Sequence, residues 1–196
     1  MSRAADDPDA DLLAAYAAGD PRAAEALVTR LAPRVLALAT RMLGDAAEAE
    51  DVTQEAMLRL WRQGPRWRHG EARVSTWLTR VALNLATDRL RRRRGVALTE
   101  AFGPRAEPAC DRPGVEAGLR AAERAQALRA ALADLPERQA QAVALRHLQG
   151  LSNPEIAAVM ETGVEAVESL VARGRRGLAA RLEGARAALS LEDGDV

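Results

Sequence analysis

Three tryptophans lie within 17 positions of a chain that has only five aromatic side chains. Trp61, Trp67 and Trp77 alternate with arginines in the segment LWRQGPRWRHGEARVSTWLTRV, residues 60–81. Indole rings stack on unpaired bases and guanidinium groups neutralise phosphates, so this mixture is typical of contact with single-stranded nucleic acid. Trp61 and Trp77 fall on predicted helices beside apolar residues, and we expect core packing to account for much of both. Trp67 lies in a loop that contains Gly and Pro, and nucleic-acid contact is its better interpretation.

The charge is segregated along the chain, although the net charge is zero. Residues 1–58 carry five arginines against 11 acidic residues, residues 59–94 carry 11 against two, and residues 95–196 carry 12 against 15. A basic middle block suits a polyanion, whereas an acidic first block would be drawn to a basic partner.

The composition favours a non-catalytic helical protein. Ala, Leu and Val dominate the apolar residues, no run of 18 apolar residues suggests a membrane span, and the acidic start is unlike a secretory signal. The single Cys110 excludes an internal disulfide and suits the cytoplasm. Cys110, His69 and His147 are far apart in sequence and would make a poor set of metal ligands. No phosphate-binding loop or activated nucleophile is evident. We therefore expect no catalytic residues, metal or cofactor.

Helical periodicity predicts an all-α fold of two small domains joined by a flexible linker. The first domain covers 9–94, the linker 95–117 and the second domain 118–185, and a disordered tail is expected at 186–196. Several capping signals place the helix ends, and they are Asp20 with Pro21, Gly44, Asp45 with Glu48, Ser75 or Thr76, and Ser152 with Glu155.

Two surface patterns carry functional information. A short helix at 153–160, a turn at 161–163 and a longer helix from about 164 to 183 predict a helix-turn-helix, with an ordinary helical hairpin as the alternative. A stripe of acidic residues around Leu58 on the helix at 45–62 looks like a docking face for a basic partner helix, with a solvated charged face as the alternative.

These segments, in this order, resemble the extracytoplasmic-function (ECF) sigma factors of bacterial RNA polymerase. The resemblance spans roughly residues 10–185. It rests on DLLAAYAAGD (11–20), RMLGDAAEAEDVTQEAMLRLW (41–61), STWLTRVALNLATDRLRRRR (75–94) and LPERQAQAVALRHLQGLSNPEIA (135–157). It implies a σ2 domain that binds the β′ clamp helices and melts the −10 element, and a σ4 domain that binds the β flap and reads the −35 element. Core RNA polymerase, promoter DNA and an anti-sigma factor are the implied partners.

The resemblance assigns roles to particular residues. The polymerase-binding positions are Asp51, Gln54, Glu55 and Leu58. The positions for −10 recognition and melting are Trp67, Arg68, Thr76, Trp77, Arg80 and Asn84. In the second helix of the helix-turn-helix, the outward positions that we expect at the −35 element are Glu165, Glu168, Ser169, Ala172, Arg173 and Arg176. The family usually has Gly in the turn where this chain has Glu161, and Thr, Lys and Arg where it has Ala166, Glu168 and Leu170.

Two other functions are compatible with parts of this pattern. A sigma mimic would keep the fold but sequester an anti-sigma factor without touching DNA. A helix-turn-helix repressor would not need residues 45–94.

Overall fold

In the ranges that its structure describes, the protein consists of helices joined by turns and short loops. This structure, a computed structural model, covers residues 7–70, 72–100 and 126–192, with 94–100 and 184–192 described by their backbone alone. The predicted all-α fold is confirmed. No helix in these ranges has the length and apolarity needed to cross a bilayer.

The N-terminal domain is a bundle of four helices and one 3-10 turn. They are α1 (Pro8–Ala17), α2 (Pro21–Leu43), α3 (Ala46–Gln63), the turn Gly64–Arg66 and α4 (Val74–Glu100). The apolar stripes of α2, α3 and α4 meet in a core that includes the fully buried Leu27, Leu38, Val52, Leu60 and Leu83. This core fixes α3 and α4, the two helices that carry most of the candidate functional residues.

Local capping explains most helix starts in this domain. The Asp20 carboxylate accepts the Arg22 N–H at 2.9 Å, and the Asp45 carboxylate accepts the Glu48 N–H at 2.9 Å. Gly44 ends α2 in the left-handed conformation, with φ 66°. All three caps are as predicted from the sequence.

The predicted cap of α4 by Ser75 or Thr76 is wrong. The helix begins earlier, at Val74, and the Val74 N–H donates to the Asp7 carboxylate at 2.8 Å. A side chain 67 positions away thus supplies the acceptor that local sequence rules assign to a neighbour.

The C-terminal domain contains a second set of helices. They are α5, which is described over 126–133, α6 (Glu137–His147), α7 (Asn153–Met160) and α8 (Val164–Glu192). The predicted capping box is present, with the Ser152 N–H donating to Glu155 Oε2 at 2.8 Å. Buried Ile156 and Val167 join α7 to α8, so the helix-turn-helix forms.

The ends of the domains differ from the sequence-based boundaries. Helix α4 continues to Glu100, six residues into the predicted linker, and α8 continues to Glu192 through most of the predicted disordered tail. Both extensions lack proline, the residue that is least compatible with a helix interior. The rest of the predicted linker and residues 193–196 lie outside the described residues.

The two domains pack against each other along α4. Helices α6 and α7 both contact α4, and one hydrophobic cluster continues from the N-terminal core to Leu145 and Ile156. The Arg41 guanidinium donates to the Leu148 carbonyl across the same boundary. A cleft of about 150 Å³ remains between the domains, lined by residues that include Leu90 and Leu132. The sequence indicates two domains but does not predict this contact.

Candidate nucleic-acid and polymerase interface

Helix α3 separates its apolar and charged residues cleanly. Val52, Ala56 and Leu60 are buried, as the helical spacing predicts. On the opposite side, Asp51 and Gln54 are exposed. Glu55 is half-buried and Leu58 keeps 47% of its surface exposed. The four sequence-predicted docking residues therefore form one surface, which we call the α3 stripe.

Two carboxylates of the α3 stripe already have arginine partners. Glu55 Oε1 accepts a hydrogen bond from Arg59 Nε at 2.8 Å, and this bond lowers the pKa of Glu55. Asp51 Oδ2 lies 3.3 Å from Arg89 Nη1 of α4. These arginines partly balance the charge of the two acids within the chain, and Leu58 is the stripe's main apolar contact.

Trp67 follows the 3-10 turn and packs into the domain rather than projecting from it. Its backbone N–H donates to the Gly64 carbonyl at 3.1 Å. Its ring packs edge-on against the ring of Trp77, with centroids 6.0 Å apart and planes at 85°. The indole Nε1 is buried and has no hydrogen-bond partner among the described residues. Arg68, the next residue, is exposed. The structure thus brings Trp67 and Trp77 together and leaves the basic side chain at the surface.

Trp61 is partly buried and packs against the core, as predicted. Its ring lies 4.5 Å from the ring of Tyr16, which joins the end of α3 to α1.

The predicted −10 residues on α4 share one face near its start. Thr76, Arg80 and Asn84 follow each other at intervals of four residues, and Trp77 lies beside them. Thr76, Trp77 and Arg80 are half-buried, and Asn84 is exposed. We call these four residues the α4 face. Its polar groups and its indole edge could contact a phosphate backbone and an unstacked base.

The C-terminal domain touches this face directly. Arg80 forms an ion pair with Glu161, and Gln141 Nε2 donates to Asn84 Oδ1 at 3.3 Å. Neither partner is identifiable from the sequence, because each lies more than 50 positions from the residue that it contacts.

The basic end of α4 is partly committed to α3. Arg93 contacts Glu48 at 2.7 Å and donates to the Leu43 carbonyl at 3.0 Å. Arg89 donates to the Glu48 carbonyl at 3.0 Å in addition to its contact with Asp51. Part of the basic middle block therefore balances the acidic first block inside one domain. Sequence reasoning missed this, although the opposite net charges of neighbouring segments were a signal.

Helix α8 presents its predicted inward residues to the core. Val167, Gly174 and Leu178 are buried, whereas Leu170 and Val171 are half-buried. The predicted outward positions are all exposed except Ser169, which is half-buried: Glu165, Glu168, Ala172, Arg173 and Arg176. Glu168 also accepts a hydrogen bond from Asn153 at 3.4 Å. The exposed row carries both acids and arginines, so its electrostatic potential is not uniformly attractive to DNA.

Comparison with known proteins agrees with this architecture. The profile of Sigma-70 region 2 matches residues 27–96, and that of Sigma-70, region 4 matches residues 125–178. The solved structure of CnrH in complex with the cytosolic domain of CnrY is similar, with a TM-score of 0.62 and 27% identity over 91% of this chain and 99% of that chain. The sigma factor RpoE, in complex with the anti-sigma factor NepR from Bartonella quintana, shares the fold, with a TM-score of 0.53, 22% identity, and coverage of 81% of this chain and 96% of that one.

Two curated relatives extend over most of the chain. The RNA polymerase sigma-H factor of Pseudomonas aeruginosa is 33% identical over 177 residues, which are 87% of this chain and 91% of the relative. The ECF RNA polymerase sigma factor SigM of Mycobacterium tuberculosis is 34% identical over 174 residues, which are 87% of this chain and 83% of the relative. The chain is a member of the sigma-70 family and belongs with its extracytoplasmic-function sigma factors.

Proposed function

We propose that this protein directs bacterial core RNA polymerase to a defined set of promoters and opens their −10 element. Sigma factors are non-catalytic initiation factors, and the family membership supports this general role. The observation that carries the finer assignment is the α4 face beside the Trp67 loop. There, two indoles in contact lie next to arginine, threonine and asparagine side chains at the start of one helix.

The energetic demand of strand opening explains why such a surface is useful. Unstacking a base step costs a few kcal/mol, and stacking of one base on an aromatic side chain returns about 1–3 kcal/mol. Thr76, Arg80 and Asn84 would hold the backbone and edges of the captured strand. We propose that Trp67 and Trp77 supply the apolar surface beside it and that Arg68 supplies an accessible positive charge.

The α3 stripe is the proposed contact with the β′ clamp helices. Its exposed Leu58, flanked by Asp51, Gln54 and Glu55, fits a basic helix that carries apolar residues. The C-terminal domain would contact the β flap and place α8 on the −35 element, where Arg173 and Arg176 would approach phosphates or guanine edges. The protein would then act in the cytoplasm, together with the polymerase.

We also propose that an anti-sigma factor controls this protein. CnrH was solved with the cytosolic domain of CnrY, and this chain is 27% identical to CnrH over nearly its full length. The α3 stripe and the α4 face are the surfaces that such a regulator would need to cover.

Run-off transcription on the host's genomic DNA tests the proposal. Purified core polymerase with this protein should produce RNA 5′ ends that core polymerase alone does not, and the upstream sequences should share −10 and −35 elements. If the protein binds core polymerase but yields no new 5′ ends, the promoter-directing function is wrong. If it also captures an anti-sigma factor, the sigma-mimic alternative takes its place.

A further inference from the structure

The C-terminal domain occupies two polar positions on the α4 face. The carboxylate of Glu161 pairs with the guanidinium of Arg80, and the side-chain amide of Gln141 donates to Asn84 at 3.3 Å. Both N-terminal residues are candidates for contact with the −10 strand. A carboxylate on Arg80 occupies the position that a DNA phosphate would take, because each offers anionic oxygens to the same guanidinium.

Glu161 has an unusual backbone for its residue type. It ends α7 in the left-handed conformation, with φ 48° and ψ 55°, and it is the one non-glycine residue with positive φ in the described part of the chain. This conformation is uncommon for residues with a side chain, and glycine adopts it more easily. A glycine here would lack the carboxylate that reaches Arg80.

The contact between the domains has the properties of one that can separate. The Glu161 side chain is 72% exposed and that of Arg80 is 29% exposed, so water and salt screen their ion pair. The cleft of about 150 Å³ beside Leu90 and Leu132 shows that the packing between the domains is incomplete. Each of the two domains also has buried residues of its own.

We propose that residues 137–164 dock on the α4 face as an internal competitor of the −10 strand, with the Glu161 carboxylate in the place of a phosphate. This inference rests on the proposed function, because the competition matters only if the α4 face binds DNA. The docked protein binds the strand weakly, and any partner that separates the domains uncovers Arg80 and Asn84.

Charge exchange tests the docking without DNA. Small-angle X-ray scattering of the full chain at low salt should give the wild type a radius of gyration near the value for a compact protein of this length, about 16 Å. Glu161→Arg and Arg80→Glu should each increase the radius, and the double variant should return to the wild-type value. Glu183→Arg is the matched control, since Glu183 is an exposed acid of α8 that lies outside residues 137–164. Docking is overturned if Glu161→Arg stays as compact as the wild type, or if the double variant stays as open as the single ones.

Strand binding tests the competition. Fluorescence anisotropy of the full chain with a fluorescein-labelled, single-stranded oligonucleotide of mixed sequence should show tighter binding by Glu161→Gln, by about two- to fivefold, the range of an exposed ion pair. Glu161→Gly should bind equally tightly and unfold at the same or a higher temperature, because glycine suits the left-handed backbone. Glu183→Gln should bind like the wild type.

The outcomes also separate this inference from the proposed function. Open variants that bind the strand no better would overturn the competitor role, whereas the proposed function would stand if the wild-type holoenzyme still produced promoter-dependent RNA. Absence of promoter-dependent RNA from the wild-type holoenzyme would instead overturn the proposed function itself.

Discussion

Asp7 connects two segments that are far apart in sequence. One oxygen of its carboxylate accepts the Asp9 N–H at 3.2 Å, at the start of α1, and the other accepts the Val74 N–H at 2.8 Å, at the start of α4. Val74 is fully buried, so water cannot replace the lost acceptor. Asp7 therefore fixes the end of α4 that carries Thr76 and Trp77.

Replacing Asp7 by Ala should lower the free energy of unfolding by about 1–3 kcal/mol, the cost of a buried N–H without a partner. Urea denaturation measures this, and Asp11→Ala is the control because Asp11 is an exposed acid of the same helix. If both variants lose the same free energy of unfolding, the hydrogen bond from Val74 to Asp7 contributes nothing beyond the effect of removing a negative charge.

Asp9 gives the stability a component that depends on pH. Burial raises the pKa of its carboxyl above the usual 3.8, and this effect outweighs the opposing attraction of Arg30, whose Nε lies 3.0 Å away. The folded state thus binds this proton more readily than the unfolded state. The contribution of Asp9 to stability therefore falls as pH rises from about 3.8 through its folded pKa.

Asp9→Asn should therefore be at least as stable as the wild type at pH 7. Any advantage should disappear below about pH 4, where the wild-type carboxyl is protonated in both states. Urea midpoints at the two pH values measure the difference. A variant that is less stable at neutral pH would show that the Arg30 ion pair dominates instead.

Trp67 combines packing with the proposed capture of a base. Trp67→Ala should lower the free energy of unfolding by about 1–3 kcal/mol, as expected for a partly buried aromatic ring, and should reduce opening of the −10 element about tenfold. Trp67→Phe keeps a ring and removes an N–H that is buried with no partner among the described residues, so its stability should stay close to that of the wild type. Permanganate reactivity of unpaired thymines measures opening. Unchanged opening with Trp67→Ala would limit this residue to a packing role.

The close approach of α8 to α6 depends on Gly174. A Cβ at this position would lie 2.5 Å from Val143 Cγ2 and 3.1 Å from the Gln139 carbonyl oxygen. Neither neighbour moves easily, since one is a branched side chain and the other is backbone. A Cβ at Gly177, one turn further on, would meet the flexible end of Leu135, at 2.6 Å, and the Arg181 side chain.

Gly174→Ala should consequently destabilise the protein by about 1–3 kcal/mol, as overpacking does, despite the better helix propensity of alanine. Gly177→Ala should be neutral or slightly stabilising. Thermal unfolding of the two variants provides the comparison. If both shift the midpoint in the same direction by similar amounts, the packing of α8 on α6 is not limited by Gly174.

The α3 stripe should determine the affinity for core polymerase. Replacing both Asp51 and Glu55 by Arg turns attraction to a basic helix into repulsion, so core binding should weaken by more than about tenfold. Asp11→Arg with Glu25→Arg changes the net charge equally on exposed positions of α1 and α2, and it should bind core polymerase normally. Biolayer interferometry at fixed salt measures both. An affinity within a factor of two of the wild type would refute the assignment of the stripe.

Local chemistry determines which parts of this structure the sequence could predict. Caps such as Asp45 and Ser152 act within three residues, and the helical period fixes the burial of Val167 and Gly174. The cap of α4 by Asp7 and the pairing of Arg93 with Glu48 depend on how helices pack, which no local pattern encodes. Helix α8 is longer than the sequence pattern predicts, because residues 186–192 contain no glycine or proline that would end it.

For the protein as a whole, the segregated charge has two uses. Arg89 and Arg93 bind acids of α3 and hold α4 against it, whereas Arg80 faces the C-terminal domain. Counting charges along the sequence predicts a block of arginines that binds a polyanion. The count cannot show which arginines pair with α3 and which face the C-terminal domain, because that depends on the side of α4 that each arginine occupies.

The order of Arg80 and Glu161 along the chain has a consequence for newly made protein. Glu161 is synthesised 81 residues after Arg80, and at about 5–20 residues per second this interval lasts roughly 4–16 s. During that time the N-terminal domain, whose core lies almost entirely within the first hundred residues, can already fold on the ribosome. The α4 face of each newly made molecule is therefore uncovered at first. The C-terminal domain can cover it only after α6 and α7 have emerged from the ribosome.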